Sequence, residues 1–555
     1  MTSNTPSPTT HDRIADVAQR VFGWSQLRPG QSTAIEAVVD GHDVLAVMPT
    51  GYGKSAVYQI AGHLLDGPTV VVSPLIALQA DQVQHIVEST GRPEAVAINS
   101  ARSSRANRTA WLSVASGEAE FVFLAPEQFA REEVVDELRG LGVSLFVVDE
   151  AHCVSSWGFD FRPDYLRLGG VIERLGGPRI LALTATGSAP VRDDIVERLG
   201  LRHPRVFVHG FDRPNVHLAV VRHESEHDKQ RAVLAQVTGL PKPGLVYVAT
   251  HSDTTTLALE LSAAGLRAAA YHGGLPAAER ERVHGLFHTD DLDVVVATSA
   301  FGMGIDKPDV RFVVHADVTD SIDSYYQEVG RSGRDGAPAT ATLHYRAEDL
   351  GLRSFFASGR PDEQKARAVA AALRPAGEPA PELRMPVAEL TATTGLAARS
   401  VENIVNLLVT GRVADENREG VALAPGVDEE TALAAAVEAA DQRRRIDESR
   451  VALIRAYAET LDCRRQFLLG YFGDDLAEPC GNCDTCESGT AYERQAARKA
   501  SATGFAEGQK VRHAAWGAGQ VVTIEGDRVT VFFDSEGYKV LSLAVATAGG
   551  LLTPA

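Results

Sequence analysis

No stretch of these 555 residues holds the roughly 18 consecutive apolar residues that a membrane span needs, so no membrane partner is expected. The opening segment, M-T-S-N-T-P-S-P-T-T-H-D-R, lacks the apolar core of a secretory signal. It reads as a short disordered lead, and a cytoplasmic location is expected, on the nucleoid if the source is bacterial. Positive charge is in short supply, with 54 Lys and Arg against 73 Asp and Glu and a net charge of −19. That excludes a chain that is basic throughout, but it leaves room for a local basic groove that binds nucleic acid. Cysteine is scarce as well: there are five, and four of them are Cys463, Cys480, Cys483 and Cys486. Such clustering without a secretion signal points to a metal before a disulfide. What the chain does have is a 44% apolar composition, enough for full cores, and a length that suggests about three to four domains.

The stretch around which the chain is organised is V-L-A-V-M-P-T-G-Y-G-K-S, residues 44–55. Its apolar start reads as a buried strand, Pro49 to Gly53 as a tight loop, and Lys54 and Ser55 as the opening of a helix. Strand, glycine-rich loop and helix N-terminus together make a phosphate cradle, with Thr50, Gly51 and Gly53 supplying backbone N–H groups. Lys54 can reach the β- and γ-phosphates, and the Ser55 hydroxyl can ligate Mg²⁺. Met48 stands where the strict pattern has its first glycine, and the competing reading is an ordinary strand-to-helix turn. Upstream lie Trp24, Arg28 and Gln31. A glutamine amide can pair with N6 and N7 of adenine, and a tryptophan can stack on the base. A helix cap and a core tryptophan explain the same residues equally well.

Further strands follow. The apolar run Leu145-Phe-Val-Val148 ends in Asp149-Glu150-Ala151-His152. Paired acids at the end of such a strand are costly unless they serve a cation or a reaction. Asp149 is placed to hold Mg²⁺, and Glu150 to orient and deprotonate a water. Residues 180–186 form another strand that ends in two hydroxyl residues, Thr184 and Thr186. Strands alternating with helices predict parallel sheets whose ligands sit at the carboxyl ends of the strands, where these motifs fall. Trp157, Phe159, Phe161 and Arg162 follow the acid pair and could stack on unpaired bases or form a packed loop core. Cys153 reads as a small buried residue.

From about Phe211 the alternation restarts. Residues 300–305, A-F-G-M-G-I, form a glycine-rich turn. Residues 324–335, S-Y-Y-Q-E-V-G-R-S-G-R-D, place Arg331 and Arg334 three apart, a spacing that shares one face of a helix. Beside a nucleotide, such a pair acts as arginine fingers; otherwise it is a solvated basic face.

The order of these motifs resembles a superfamily-two helicase, and specifically the RecQ family, over about residues 20–350. In that family too a methionine stands where Met48 does. The resemblance implies that Arg28 and Gln31, with Trp24, recognise adenine. It implies that Thr50, Gly51, Gly53, Lys54 and Ser55 bind ATP with Mg²⁺, and that Asp149 and Glu150 serve metal and water. Gln327, Arg331 and Arg334 would complete the catalytic set from the second lobe. The loop carrying Trp157, Phe159, Phe161 and Arg162 would couple single-stranded DNA to hydrolysis, although Phe159 replaces a more usual histidine.

Beyond the motor, Pro and Ala at 375–381 read as a linker, and residues 386–423 have a winged-helix outline of two helices and a two-stranded wing. Its place before the zinc module is unusual for a RecQ protein. Its helices can serve DNA contact or plain packing. Residues 439–472 read as helical and basic. The four cysteines suit tetrahedral Zn²⁺ in a structural role, with spacing that matches the RecQ zinc module. Residues 488–502 read as a charged linker, and residues 505–552 as four or five short strands resembling the Tudor-like, SH3-like tail of UvrD-type helicases, which binds RNA polymerase. The alternative role for that tail is nonspecific DNA affinity. No HRDC-type helical domain is seen.

The expected fold is therefore α/β, with two tandem RecA-like parallel-sheet lobes, a winged-helix-like module, a helical zinc-binding module and a small C-terminal β-barrel. The expected boundaries are 1–19, 20–210, 211–350, 351–438, 439–487, 488–504 and 505–552. The expected activity is that of an ATP-dependent 3′–5′ DNA helicase acting on single-stranded and forked DNA in repair or recombination. Alternatives are a translocase that does not separate strands and a transcription-coupled recruiter acting through the barrel.

Overall fold

The computed structural model describes residues 9–555 except positions 75, 101, 156–161, 303–306, 352–361, 374–383, 418–419, 500–504, 507, 526–527 and 549–550. The linker expected at 375–381 and part of the 300–305 turn thus lie outside the described residues.

The first lobe is a seven-stranded sheet. Its strands are β1 (Val44–Val47), β2 (Thr69–Val72), β3 (Ala95–Ile98), β4 (Phe121–Leu124), β5 (Leu145–Val148), β6 (Arg179–Thr184) and β7 (Arg205–Val208). All pairings are parallel, in the order β3-β4-β2-β5-β6-β1-β7. Strands covered on both faces are apolar almost throughout, which is why β1, β4 and β5 read as unbroken Val, Leu, Phe and Ala runs and β2 as Thr69 followed by three valines, all of them buried. The register then fixes the site. Val47 pairs with Thr184, and Val148 with Ala182, so β1, β5 and β6 end on one edge. The opposite edge is tied by Asp43, which accepts from the N–H of Ile180 at 3.0 Å and of Arg202 at 2.7 Å. Helix Lys54–Leu64 buries Val57 and Ile60 on this sheet, each stabilising it by about 1.5–3 kcal/mol.

The second lobe repeats the scheme with β8 (Val216–Arg222), β9 (Gly244–Tyr247), β10 (Ala268–Tyr271), β11 (Val294–Ala297), β12 (Phe312–His315) and β13 (Ala339–Tyr345). Their order is β10-β11-β9-β12-β13-β8, again all parallel. An exposed β8 edge would leave N–H and C=O groups unpaired, and the zinc module covers it. Leu218 bridges Cys483, Val220 N–H donates to Asp484 at 3.0 Å, and Arg465 donates to Val216 C=O at 2.6 Å.

The winged-helix outline is present. Helix Val387–Thr394 ends at Gly395 with φ 66°, helix Ala398–Thr410 follows, and strands Ala414–Asn417 and Gly420–Leu423 pair antiparallel as the wing. Three expectations change. The 438/439 boundary falls inside one helix, Glu429–Glu459, whose start packs in the winged-helix core and whose end packs in the motor core. The charged linker from 488 contains helix Thr490–Lys499, because Gln495 and Arg494 find partners at Ala477 and Asp462 of the zinc module. The basic character of 439–472 is spent internally: Arg445 pairs with Glu438, Arg444 with Asp441, and the buried Arg464 with Asp484. The C-terminal unit is a five-stranded antiparallel sheet, Lys510–His513, Gly517–Glu525, Arg528–Phe533, Gly537–Ser542 and Leu552–Pro554, in which the last strand pairs back on the first of the five.

Under the first lobe, at the starting edge of β2 and β4, Glu120 is pushed up to about 7 by burial and by the nearby charges of Glu94 and Asp66. An unfolded Glu loses its proton near 4.5, so between that pH and about 7 the native chain holds a proton that the unfolded chain has released. Stability therefore falls as pH rises through this window and stays lower above it. Glu120→Gln removes the penalty. Its thermal midpoint should match wild type at pH 5 and exceed it by about 2 °C at pH 8, the shift expected from roughly 1 kcal/mol, in paired calorimetric scans.

Candidate functional site

The glycine-rich loop leaves β1 and closes on itself with left-handed glycines at 51 (φ 77°) and 53 (φ 87°), conformations that other residues resist. Gly53 caps helix Lys54–Leu64, so the first-turn N–H groups, at Lys54 and Ser55, point out of the helix as anion donors. Lys54 Nζ reaches back across the loop to Met48 C=O at 3.2 Å. The loop is also held from outside. Gln31, 3% exposed, donates to the carbonyls of Tyr52 (3.0 Å) and Gly53 (2.8 Å), and its own carbonyl accepts from Arg28 N–H at 2.7 Å. The Arg28 guanidinium donates to Gly51 C=O and lies 5.5 Å from the Tyr52 ring centre. The structure thus places Arg28 and Gln31 as braces of the loop's backbone. Trp24 stacks on Phe22 at 4.7 Å and packs against the lobe core. Thr50 and Ser55 sit half-buried on either side of the glycines.

Asp149 and Glu150 leave β5 beside this loop. Glu150 adopts φ 49°, a left-handed backbone in a non-glycine residue, and a strained conformation of the kind that clusters at functional sites. Burial and the neighbouring Glu150 charge push Asp149 up. Burial pushes Glu150 the same way, but Lys54, then His152 and Arg331, outweigh it and hold Glu150 low. The result is an anionic carboxylate whose buried Oε2 lies 3.3 Å from His152 Nδ1.

The second lobe supplies the remaining parts. Gln327 is half-buried on helix Ile322–Val329. Arg331 and Arg334 do not share that helix, contrary to the spacing argument, because it stops at Val329 and both lie in the following turn. The turn brings them together nonetheless. Arg331 is 2% exposed, and its charge acts on Glu150. Arg334 Cδ stands 3.0 Å from where a Cβ at Gly51 would be. Sequence reasoning missed what holds this turn: Arg213 donates to the carbonyls of Gly330, Ser332 and Gly333 at 3.2, 2.6 and 2.9 Å. It also missed the link from the acid box to β6, His152 Nδ1 to Thr184 Oγ1 at 3.0 Å, although two hydroxyls ending a strand were the visible signal. Tyr165 OH, which donates to Asp149 C=O at 3.1 Å, had no such signal.

The four cysteines converge. Their sulfurs all lie within 4.8 Å of one another, with Cys463, Cys483 and Cys486 buried. Cys463 caps helix Arg464–Phe472, and the other three come from the knuckle that begins at Cys480. Backbone N–H groups of Cys480 and Asn482 donate to the sulfurs of Cys463 and Cys480, both at 3.3 Å, as a thiolate set requires. The donor set fits tetrahedral Zn²⁺ and leaves no ligand position for water.

Residues 28–194 match the DEAD/DEAH box helicase family, 229–336 the helicase conserved C-terminal domain and 427–487 the RecQ zinc-binding family. "Probable ATP-dependent DNA helicase RecS" of Bacillus subtilis (strain 168) is 38% identical over 342 residues, covering 61% of this chain and 68% of that protein. The chain belongs to the RecQ family of ATP-dependent DNA helicases. "ATP-dependent DNA helicase RecQ" of Pasteurella multocida (strain Pm70) is 33% identical over 472 residues, covering 85% of this chain and 62% of that one. The crystal structure of the DUF1998 helicase MrfA bound to DNA superposes with a TM-score of 0.53 at 16% identity, over 78% of this chain and 64% of that one, which shows a shared fold. Residues 505–548 match a family described as a protein of unknown function (DUF3553).

RecQ-family membership brings ATP, Mg²⁺ and Zn²⁺ as cofactors, and the loop, the acids and the four thiols are chemically suited to them. Of the expected DNA-contacting loop, Trp157, Phe159 and Phe161 lie outside the described residues. Arg162 is anchored, with its N–H on Cys153 C=O at 3.0 Å and its guanidinium on Pro74 C=O at 3.3 Å. Cys153 itself is buried.

Because Cys483 both lines the sulfur cluster and bridges β8, losing it should loosen the second lobe as well as the knuckle. Cys483→Ser is expected to bind no zinc by native mass spectrometry and to unfold about 5 °C or more below wild type. Bound zinc at wild-type stoichiometry in this variant would show that the cluster is not the metal site.

Proposed function

We propose that this RecQ-family chain couples ATP hydrolysis to 3′-to-5′ movement on single-stranded DNA and to unwinding of the duplex ahead. The observation that supports this most directly is the reach of Arg334 to Gly51 together with the field of Arg331 on Glu150. Groups from both lobes meet at one loop, so the site is complete only when the lobes are closed. Lys54 and the helix N-terminus would hold the β- and γ-phosphates. Ser55 and Asp149 would hold Mg²⁺, which draws charge from the phosphate oxygens. Glu150, kept anionic by Lys54, takes a proton from the attacking water while Arg331 and Arg334 meet the charge that develops on the transferred group. Once the phosphates separate, the charges that drew the lobes together are split, and the lobes part. The segment 157–162 follows the acid pair within a few residues, which favours its coupling this cycle to a bound strand. The direction of movement, forked DNA as substrate, a place in repair or recombination and a cytoplasmic setting rest on family resemblance. So does an RNA polymerase contact through the C-terminal sheet.

One observation favours a second reading, a translocase that displaces proteins without separating strands. The wing carries Asp415 and Glu416, and Glu416 pairs with Arg167 of the first lobe at 3.1 Å. An acidic hairpin held against the motor is a poor wedge for a phosphate backbone.

Duplexes with a 3′ or a 5′ single-stranded tail, incubated with ATP and Mg²⁺, separate the readings. Unwinding of the 3′-tailed duplex alone is expected, and DNA-stimulated hydrolysis with neither duplex opened would establish the translocase instead. Glu150→Gln should bind ATP as wild type does and lose about 10²- to 10³-fold in turnover, read by single-turnover hydrolysis.

A further inference from the structure

Four buried oxygen groups from four parts of the chain form one continuous relay. Ser188 follows the carboxyl end of β6 and is fully buried. Its Oγ lies 2.5 Å from the hydroxyl of Tyr538, in the C-terminal sheet. Tyr538 donates at 3.4 Å to Tyr471 of helix Arg464–Phe472, and Tyr471 donates to the Asp323 carboxylate. Because that carboxylate only accepts, the donors order from Ser188 through both tyrosines to Asp323. Asp323 lies on helix Ile322–Val329, which leads directly into Arg331 and Arg334. The relay therefore joins the lobe that binds phosphate to the lobe that carries the arginines.

The C-terminal sheet is seated firmly enough to hold this position. A Cβ at Gly537 would meet Ser449 Oγ at 2.4 Å, so the strand backbone lies directly on helix Glu429–Glu459. Arg445 of that helix donates to Ser535 C=O at 2.9 Å. Phe532 and Tyr538 belong to the same buried cluster as Phe472, Tyr326 and Phe146 of the motor.

We propose that Tyr538 is a positioning residue of the motor, and that the C-terminal sheet holds the two lobes closed on the nucleotide by linking Ser188 to Asp323 through Tyr471. This rests on the ATPase reading above. The Ser188 hydroxyl caps nothing in its own helix, and Tyr538 is its partner. The hydrogen bond between the two hydroxyls favours the closed molecule, and in an open molecule water replaces it. Removing either hydroxyl, or both, removes this one contribution to closure and shifts the population toward open lobes. A strand of DNA lying across both lobes supplies closure by its own contacts and masks the loss.

The test uses the full chain carrying Tyr538→Phe, Ser188→Ala or both, with an oligothymidylate as the DNA. Turnover without DNA should fall about fivefold, the shift that roughly 1 kcal/mol makes in a two-state population, while turnover at saturating DNA stays within about twofold of wild type. The double variant should match the single ones, because each breaks the same link. Equal losses with and without DNA, additive losses in the double variant, or no change at all would each overturn the proposal. Hydrogen exchange reads the link without turnover. Faster exchange in both Thr184–Ser188 and Ile322–Val329 of Tyr538→Phe supports it even if wild type hydrolyses no ATP, a result that would sink only the ATPase reading. Unchanged exchange in both segments overturns it.

Discussion

Arg334 can lie against the glycine-rich loop because position 51 has no side chain. A Cβ there would stand 3.0 Å from Arg334 Cδ, and the φ of 77° already disfavours any other residue. One glycine therefore answers two demands: the loop must turn left-handed to aim its N–H groups at an anion, and the second lobe must approach that same backbone. Gly53 repeats the pattern on the other side, where a Cβ would meet Gln31 Nε2 at 2.7 Å. The loop is enclosed by Gln31 and Arg28 from its own lobe and by Arg334 from the other. The closeness of these contacts makes the site sensitive to small changes in how the lobes sit.

That sensitivity explains how the rest of the chain is spent. A two-lobed motor with an uncovered β8 edge and a mobile junction would lose the register that brings Arg331 to Glu150. The zinc knuckle closes the β8 edge with backbone and carboxylate contacts. Helix Arg464–Phe472 fills the junction with aromatic rings: Phe472 stacks on Phe211 at 4.6 Å and packs on Tyr326 at 4.7 Å. Burying three large rings at one junction excludes water from the relay beside them, which strengthens its hydrogen bonds and raises the cost of leaving one unmade. The C-terminal sheet completes this junction.

Much of this was legible from local pattern. Apolar strands ending in Gly-Lys-Ser and Asp-Glu announce both the parallel sheet and its functional edge, because chemistry of that kind at the end of a buried strand has few other uses. Cysteine spacing announced the metal knuckle. What local pattern could not show was anything set by long-range packing. Arg331 and Arg334 were placed on a helix by their spacing, yet the helix stops at Val329 and Arg213, more than a hundred positions upstream, shapes the turn. The basic reading of residues 439–472 includes Arg443 to Arg445, but their partners, Glu438, Asp441 and Asp447, are interleaved in the same helix and neutralise them. Tyr538 carries no motif at all; its role emerges only once Ser188 is found 2.5 Å away.

The same internal pairing bears on how an acidic chain can grip DNA. Lys229 is held between Asp317 at 2.8 Å and Asp349 at 2.7 Å, Lys307 pairs with Asp290 at 2.7 Å, and Arg465 is buried against Asp212 at 3.5 Å. These cations count toward the total of 54 but cannot also neutralise a phosphate backbone. Bulk charge at −19 repels a polyanion, so affinity must be built locally. On the proposed coupling, a strand would lie across the junction of the lobes and touch both at once. Grip on the strand and completion of the nucleotide site then depend on the same closure, and whatever stabilises that closure, from the zinc knuckle to the C-terminal sheet, acts on both.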